Sequence, residues 1–117
     1  MRRVTDCLFC KIVAREVPAD IVLETDRALA FRDINPQAPT HVLVVPKEHF
    51  RDAAAMAQAD AGWADEVLKA GHAVAEQEGI AESGYRFVFN TGAAAGQAVF
   101  HVHLHVLGGR DLTWPPG

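Results

Sequence analysis

The sequence predicts an α+β fold in which a mainly antiparallel sheet of five strands packs against one long helix, with one short helix near the start. Five short apolar stretches have strand character, and one stretch of about 20 residues is amphipathic at the helical period. The connections are too short for repeated parallel crossovers. The length of 117 residues suits one domain over residues 1–117.

The first elements are a short helix and a hairpin. Asp6 can cap a helix that is expected to end before Pro18, because apolar residues recur at helical spacing: Leu8, Phe9, Ile12 and Val13. Residues 21–24 and 28–31 are predicted as two strands joined by a three-residue turn.

A third strand, the long helix and two final strands follow. The third strand is expected over residues 40–45, where Pro46 stops it. The helix is expected over about residues 60–79, because apolar residues there lie on one helical face: Trp63, Val67, Ala70 and Val74. Residues 85–89 and 99–107 complete the predicted sheet.

The most informative stretch is residues 101–107, which reads His-Val-His-Leu-His-Val-Leu. Side chains alternate between the faces of a strand, so three imidazoles would share one face: His101, His103 and His105. The alternate residues would enter the core: Phe100, Val102, Leu104 and Val106. The outer imidazoles would then lie roughly 13 Å apart at the backbone, so one metal ion could hold an adjacent pair at most.

Phosphorus chemistry suits such a row. A neutral imidazole can attack a phosphoryl centre and form a covalent intermediate when a partner fixes its tautomer. The loop of residues 90–97 directly precedes the row, and its glycines let backbone N–H groups approach an anion. Taken alone, a loop of this kind is more often only a turn.

Cysteines and a further histidine suggest a metal site. Cys7 and Cys10, with His49 and one histidine of the row, could form a tetrahedral Cys₂His₂ zinc site. A redox pair and inert free thiols are the alternatives. His41 and His49 are separated by mostly extended chain and are expected to serve opposite ends of any site.

Asp33 is a candidate for binding vicinal hydroxyls such as those of a ribose. Four apolar residues could form a slot for a base beside it: Leu8, Phe9, Phe31 and Ile34. The alternative is that Asp33 only starts the following loop through an Asx turn.

Composition argues against several classes of partner. A formal net charge of −4 does not favour nucleic-acid binding. No apolar stretch approaches membrane-spanning length and no signal-peptide pattern follows Met1, so a cytoplasmic protein without a membrane partner is expected. Two cysteines are too few for a secreted disulfide framework.

Residues 101–107 match the signature of the histidine triad, or HIT, superfamily. The stretches 31–41, 105–110 and 114–117 resemble its HINT branch of nucleoside phosphoramidases, and the resemblance covers nearly the whole chain. It implies a HIT-like fold and a homodimer that binds purine nucleoside monophosphates. It also implies hydrolysis of the P–N bond of purine nucleoside 5′-phosphoramidates through a nucleotidyl-histidine intermediate.

The same resemblance assigns roles to individual residues. It implies that His103 is the nucleophile, that the His101 carbonyl orients its ring, and that His105 and His41 assist at the phosphate. It implies that Asp33 binds the ribose and that Trp114 lies near the other protomer's site. The remaining contacts to phosphate and leaving group would come from the segment before the triad: Asn90, Gly96, Gln97 and Val99.

Two features depart from the HINT pattern. Ala98 stands where the branch usually has a serine whose hydroxyl assists the phosphate or leaving group, so catalysis is expected to be slower. Cys-x-x-Cys is absent from many animal members but occurs in zinc-containing bacterial HIT proteins. Their ligands correspond to four residues that would hold a structural zinc: Cys7, Cys10, His49 and His101.

Two other functions remain open. Another branch of the superfamily hydrolyses dinucleoside polyphosphates, although the Trp-Pro-Pro-Gly ending of residues 114–117 favours the phosphoramidases. The second alternative is a nucleotide-binding regulatory protein with weak catalysis. Ala98 in place of the usual serine would be the sign of that weakness.

Overall fold

The computed structural model describes residue 4 and residues 6–59 and 62–117. The strands are β1 Ile21–Glu24, β2 Ala28–Arg32, β3 Thr40–Pro46, β4 Tyr85–Val88 and β5 Leu104–Gly108. The helices are α1 Leu8–Val13, α2 Ala53–Gln58 and α3 Trp63–Gln77, with a 3₁₀ turn at Ala93–Ala95. The predicted α+β class is confirmed.

All five strands pair antiparallel in the order β1-β2-β3-β5-β4. The last strand is therefore inserted between β3 and β4. One row of paired residues crosses the central strands, from Phe31 to Leu43 to His105. This row brings an aromatic side chain and a histidine of the triad to the same face of the sheet.

Each face of the sheet is covered by a different helix. On one face, α3 packs on the even-numbered residues of the central strands, among them Val42, Val44 and Leu104. On the other face, α1 packs on Leu29, Phe31, Leu43 and Val45. Because β3 is covered on both faces, every one of its residues is buried.

The contact between α3 and the sheet is unusually close at Gly71. A Cβ atom there would lie 2.7 Å from Leu104 Cδ2 and 2.9 Å from Phe87 Cζ. Glycine therefore sets the distance between the helix and the strand that carries His105.

The structure corrects the expectations for the last strand. Regular pairing begins only at Leu104, so residues 99–103 are not part of a strand. The predicted alternation of side chains between the two faces therefore holds only in part. Val102 and Leu104 are buried as expected, but Phe100 is 37% exposed. Its ring lies against the guanidinium of Arg51, at 4.4 Å, instead of in the core.

Two helix predictions are also corrected. The N-cap of α1 is Cys7 and not Asp6, and the Cys7 thiol accepts a hydrogen bond from Cys10 N at 3.4 Å. The helix α2, capped by Asp52 through a hydrogen bond from Ala55 N, was not predicted. Among the described residues, no helix is long and apolar enough to cross a membrane.

Candidate active site and metal site

The four thiol and imidazole groups of the predicted metal site meet under α1. The N-terminal turn of that helix brings in Cys7 and Cys10, the segment after β3 brings in His49, and the segment before β5 brings in His101. All four are buried, and their ligand atoms lie within 4.8 Å of one another. His101 Nδ1 lies 3.4 Å from Cys7 Sγ and 3.5 Å from Cys10 Sγ, and His49 Nδ1 lies 3.4 Å from Cys10 Sγ.

These separations fit a tetrahedral zinc ion. With Zn–S bonds of about 2.3 Å and Zn–N bonds of about 2.1 Å, the sulfur–nitrogen edge of a tetrahedron is about 3.6 Å. His101 Nε2 donates a hydrogen bond to the Pro46 carbonyl at 3.0 Å, which leaves the Nδ1 lone pair directed at the thiols. The donor set and its geometry therefore suit Zn²⁺.

The protonation of this cluster also favours a cation. Burial raises the pKa of the Cys7 thiol, so the sulfur would stay protonated without a positive charge nearby. Burial lowers the pKa of His101 to about 4, which keeps its imidazole neutral and able to act as a ligand. A bound metal ion would stabilise the deprotonated thiolates and offset the free-energy cost of burying their negative charge.

His103 is oriented by the main chain. Its Nδ1 donates a hydrogen bond to the His101 carbonyl at 2.9 Å, so Nε2 carries the lone pair. Burial lowers the pKa of His103 and favours the neutral ring. The ring of Phe9 packs edge-on against it, with 5.0 Å between centroids, and restricts its rotation. His103 therefore has the tautomer that a nucleophilic imidazole requires.

The protons of His41 and His105 are set by a chain of hydrogen bonds. The Gln37 N–H donates to His41 Nδ1 at 3.0 Å, so a neutral His41 carries its proton on Nε2. This Nε2 donates to His105 Nδ1 at 2.8 Å, which places the His105 proton on Nε2. His105 Nε2 is buried and has no hydrogen-bond partner among the described residues. The chain thus ends in an N–H donor.

Burial keeps both of these rings neutral. It lowers the pKa of His41, and it lowers the pKa of His105 to about 4, with smaller effects of the same sign on His105 from His103 and His41. Asp33 opposes the shift in both rings through its negative charge. At neutral pH the pair therefore presents a hydrogen-bond donor without a positive charge.

Asp33 follows β2 and uses its two oxygens differently. Its Oδ1 accepts a hydrogen bond from Asn35 N at 2.8 Å, which confirms the Asx turn. Its Oδ2 lies 3.4 Å from His41 Nε2. The carboxylate is thus fixed beside the histidine pair with one oxygen outside the turn.

A cavity of about 320 Å³ lies over this face of the sheet. Ten of the predicted site residues line it: Leu8, Phe9, Phe31, Asp33, Ile34, Asn90, Gly96, Val99, His103 and His105. Ala98, named above as a departure from the HINT pattern, lines it too, and five lining residues were missed: Ile12, Pro18, Ala19, Arg32 and Leu43. Leu43 could have been found, because it pairs with both Phe31 and His105 and so shares their face.

The loop before the triad is held by the side chain of Gln97. Its Oε1 accepts from Gly92 N at 2.9 Å, and its Nε2 donates to the carbonyls of Arg51 at 2.8 Å and Val99 at 3.2 Å. Gly96 has φ of +88°, a left-handed conformation that closes the 3₁₀ turn. The N–H groups of Ala98 and Val99 have no hydrogen-bond partner among the described residues. The loop can therefore present backbone donors to an anion.

Four of the predicted catalytic and substrate-binding residues lie outside the cavity lining, and one of them is Gln97, described above. His41 lies behind His105, and His101 belongs to the thiol cluster. Trp114 is 82% exposed on the C-terminal segment. Arg86 holds that segment by donating hydrogen bonds to the carbonyls of Leu112 and Thr113, at 3.5 and 2.9 Å.

Several known proteins are similar to this chain in sequence. An uncharacterised HIT-like protein of Synechococcus elongatus is 54% identical over 96% of this chain and 97% of its own. A protein named 14 kDa zinc-binding protein from Zea mays is 45% identical over 100% of this chain and 94% of its own. A protein named purine nucleoside phosphoramidase from Escherichia coli K12 is 46% identical over 92% of this chain and 90% of its own.

The similarity extends to three-dimensional structure and to a family model. The crystal structure of a HIT family hydrolase from Legionella pneumophila has a TM-score of 0.91 and 49% identity, covering 96% of this chain and all of that one. Residues 14–112 match the model of the HIT domain. With its histidine row, its fold and these relatives, the chain belongs to the HIT domain family.

Proposed function

We propose that the protein is a hydrolase that cleaves the P–N bond of purine nucleoside 5′-phosphoramidates. The observation that carries this proposal is the tautomer of His103, whose Nδ1–H is held by the His101 carbonyl while Nε2 keeps its lone pair. His103 and His105 line one cavity beside an apolar slot. The name of the Escherichia coli relative supports the substrate class.

In the proposed complex, the nucleoside lies under α1. The base occupies the slot formed by Leu8, Phe9, Phe31 and Ile34. Asp33 Oδ2, the oxygen outside the Asx turn, accepts hydrogen bonds from the ribose hydroxyls.

The phosphate lies between the histidines and the preceding loop. His105 Nε2–H and the N–H groups of Ala98 and Val99 donate to its oxygens, and Asn90 adds a side-chain amide. Gly96 and Gln97 shape the backbone that carries these donors.

The reaction proceeds in two displacements at phosphorus. The lone pair of His103 Nε2 forms a bond to the α-phosphorus, and the P–N bond breaks with its electron pair passing to the amine, which takes up a proton. Water then attacks the nucleotidyl-histidine, the P–Nε2 bond breaks, and the water's proton is released. The products are a nucleoside monophosphate and the free amine.

We further propose that Cys7, Cys10, His49 and His101 bind a structural zinc ion. Four protein ligands leave no open coordination position, so the ion would hold α1 on the sheet and take no part in the displacement. The zinc-binding relative from Zea mays supports this assignment. A thiol pair of this kind suits the reducing cytoplasm.

We propose that two copies form a homodimer. β4 is an edge strand of the sheet, and the exposed Trp114 lies on the segment that Arg86 of this strand holds. In this assembly Trp114 would lie near the partner's cavity.

The function is tested by mixing the purified protein with adenosine 5′-phosphoramidate and measuring AMP release. His103→Ala should reduce kcat by roughly a thousandfold or more, because no nucleophile remains. His72→Ala, an exposed histidine on α3, is the matched control and should keep the wild-type rate. Wild-type turnover by His103→Ala would contradict the proposal.

Two results of the same assay would point elsewhere. Faster hydrolysis of diadenosine polyphosphate than of the phosphoramidate would favour a dinucleoside polyphosphate hydrolase. Tight AMP binding without turnover of either compound would favour a regulatory nucleotide-binding protein.

A further inference from the structure

The two thiols of the proposed zinc site differ in their access to solvent. Cys7 and His49 line a second cavity, of about 460 Å³, whereas Cys10 and His101 are not among its lining residues. Most of the other lining residues are exposed: Val4, Asp6, Leu8, Arg51, Ala98 and Phe100. A small solute therefore reaches Cys7 through this cavity and does not reach Cys10 by the same route.

The two sulfurs are close neighbours. The Cys7 thiol accepts a hydrogen bond from Cys10 N at 3.4 Å, and all the ligand atoms of the cluster lie within 4.8 Å of one another. Cys-x-x-Cys spacing is typical of pairs that form a disulfide reversibly. The chain has no other cysteine, so a disulfide within one chain can only join these two.

A disulfide and a zinc ion would compete for the same sulfurs. Cysteine binds zinc as the thiolate, and the two sulfurs of a disulfide carry no negative charge. Two buried imidazoles would remain, those of His49 and His101, and they are too few to hold a structural zinc. Oxidation of the pair would therefore release the ion.

The thiol pair is connected to the proposed nucleotide cavity in two ways. The helix α1, whose N-cap is Cys7, contributes Leu8 and Phe9 to the lining of that cavity. The His101 side chain contacts both sulfurs, and its carbonyl accepts the Nδ1–H of His103. A change at the sulfurs thus reaches both the base slot and the proposed nucleophile.

We propose that Cys7 and Cys10 form a peroxide-sensitive redox switch, in which a disulfide between them releases zinc and slows the hydrolase. This inference rests on the zinc site and the activity proposed above. It uses a thiol pair to which the two displacements at phosphorus assign no part.

The oxidation takes two steps. The Cys7 thiolate attacks one oxygen of hydrogen peroxide, the O–O bond breaks, and the departing hydroxide takes up a proton to form water. The Cys10 thiolate then attacks the sulfur of the Cys7 sulfenic acid, the S–O bond breaks, and a second hydroxide leaves and is protonated. Two electrons pass from the sulfurs to the peroxide, and the zinc ion leaves without a change of oxidation state.

Limiting hydrogen peroxide tests the inference on the zinc-loaded wild-type protein. After alkylation of the remaining thiols, intact mass should show an unalkylated chain that is lighter by two hydrogens. A chromogenic chelator should detect about one zinc released per disulfide formed. AMP release from adenosine 5′-phosphoramidate should fall by about ten- to a hundredfold, and dithiothreitol with added zinc should restore it. A chain that stays reduced while free glutathione in the same solution is oxidised, or a disulfide without zinc release, would overturn the inference.

A matched pair of variants tests the order of the two steps. Cys7→Ser and Cys10→Ser each remove one thiolate ligand, so both weaken zinc binding in the same way. Dimedone should trap a sulfenic acid at Cys7 in Cys10→Ser, whereas Cys10 in Cys7→Ser should react at least about tenfold more slowly. In the wild type, early trapping should mark Cys7 alone, which makes the test independent of how either variant folds. Equal trapping at the two cysteines would overturn Cys7 as the site of attack.

The readouts separate this inference from the proposed function. Mass, zinc release and trapping do not depend on turnover, so a protein without activity before oxidation would contradict the proposed function and leave the redox pair intact. A protein that binds no zinc when reduced would overturn the zinc site and the switch together.

Discussion

His103 receives its orientation from His101, the residue two positions before it. The His101 carbonyl accepts the Nδ1–H of His103 at 2.9 Å, while the His101 side chain reaches Cys7 and Cys10 at 3.4 and 3.5 Å. The main chain of one residue thus serves the proposed nucleophile and its side chain serves the proposed metal site. Disturbing the thiol cluster should therefore disturb the alignment of His103.

Zinc removal tests this connection. We expect about one zinc per chain by elemental analysis, and we expect the chelated protein to unfold at least about 5 °C lower, because binding to the folded state stabilises it. The kcat should fall by about ten- to a hundredfold, and KM should rise as well, because α1 carries Leu8 and Phe9 of the proposed base slot. Cys10→Ser should reproduce both effects. A metal-free protein with unchanged unfolding temperature would contradict the zinc site.

Ala98→Ser should introduce a donor into the wall that Leu8, Ala98 and Val99 form between the cavity lined by His103 and a second cavity of about 460 Å³. A hydroxyl there would lie beside the proposed positions of the phosphate and the leaving group. We expect kcat for adenosine 5′-phosphoramidate to rise by roughly tenfold, the effect of one added hydrogen bond in the transition state. Ala95→Ser, in the same loop but outside both linings, should leave it unchanged. Equal rates for the two variants would argue against this position as a catalytic contact.

The ion pair between Arg32 and Glu78 predicts a pH-dependent contribution to stability. The two hydrogen bonds, of 2.7 and 3.0 Å, hold the pKa of the Glu78 carboxyl below its usual range. A lowered folded-state pKa means that the contribution is present above the unfolded pKa, about 4.3, and is lost as pH falls through the folded value.

Glu78→Gln should therefore lower the free energy of unfolding by up to about 1 kcal/mol at pH 7, a small value because the Arg32 side chain is 39% exposed and solvent screens the pair. Urea unfolding at pH 7 and at pH 3 measures it. The difference between the proteins should vanish at pH 3, and a difference that grows on acidification would contradict this account.

The sequence predicted the elements whose patterns are long and regular. The spacing from Trp63 to Val74 predicted α3, and the alternation through Leu104 and Val106 predicted the buried face of β5. The alternation of buried and exposed residues wrongly predicted a buried Phe100, because β5 begins to pair with its neighbours only at Leu104. The helix α2 was missed because six residues, mostly alanine, carry no periodic signal.

The candidate site was predicted less completely for a different reason. The Cys-x-x-Cys pair and the histidine row were each visible as local motifs, but they lie more than 90 positions apart, and only the sheet brings them together. The hydrogen bonds by which the Gln97 side chain holds the loop before the triad carry no local signal either, because one of them reaches the distant Arg51 carbonyl.

The wall shared by the two cavities divides the protein into parts that can evolve separately. Phe9 and Phe31 line only the nucleotide cavity, while Arg51 and Phe100 line only the other. A substitution on one side of this wall can thus change the shape and charge of one cavity without changing the lining of the other. The two cavities can then be altered one at a time while the histidine row stays the same.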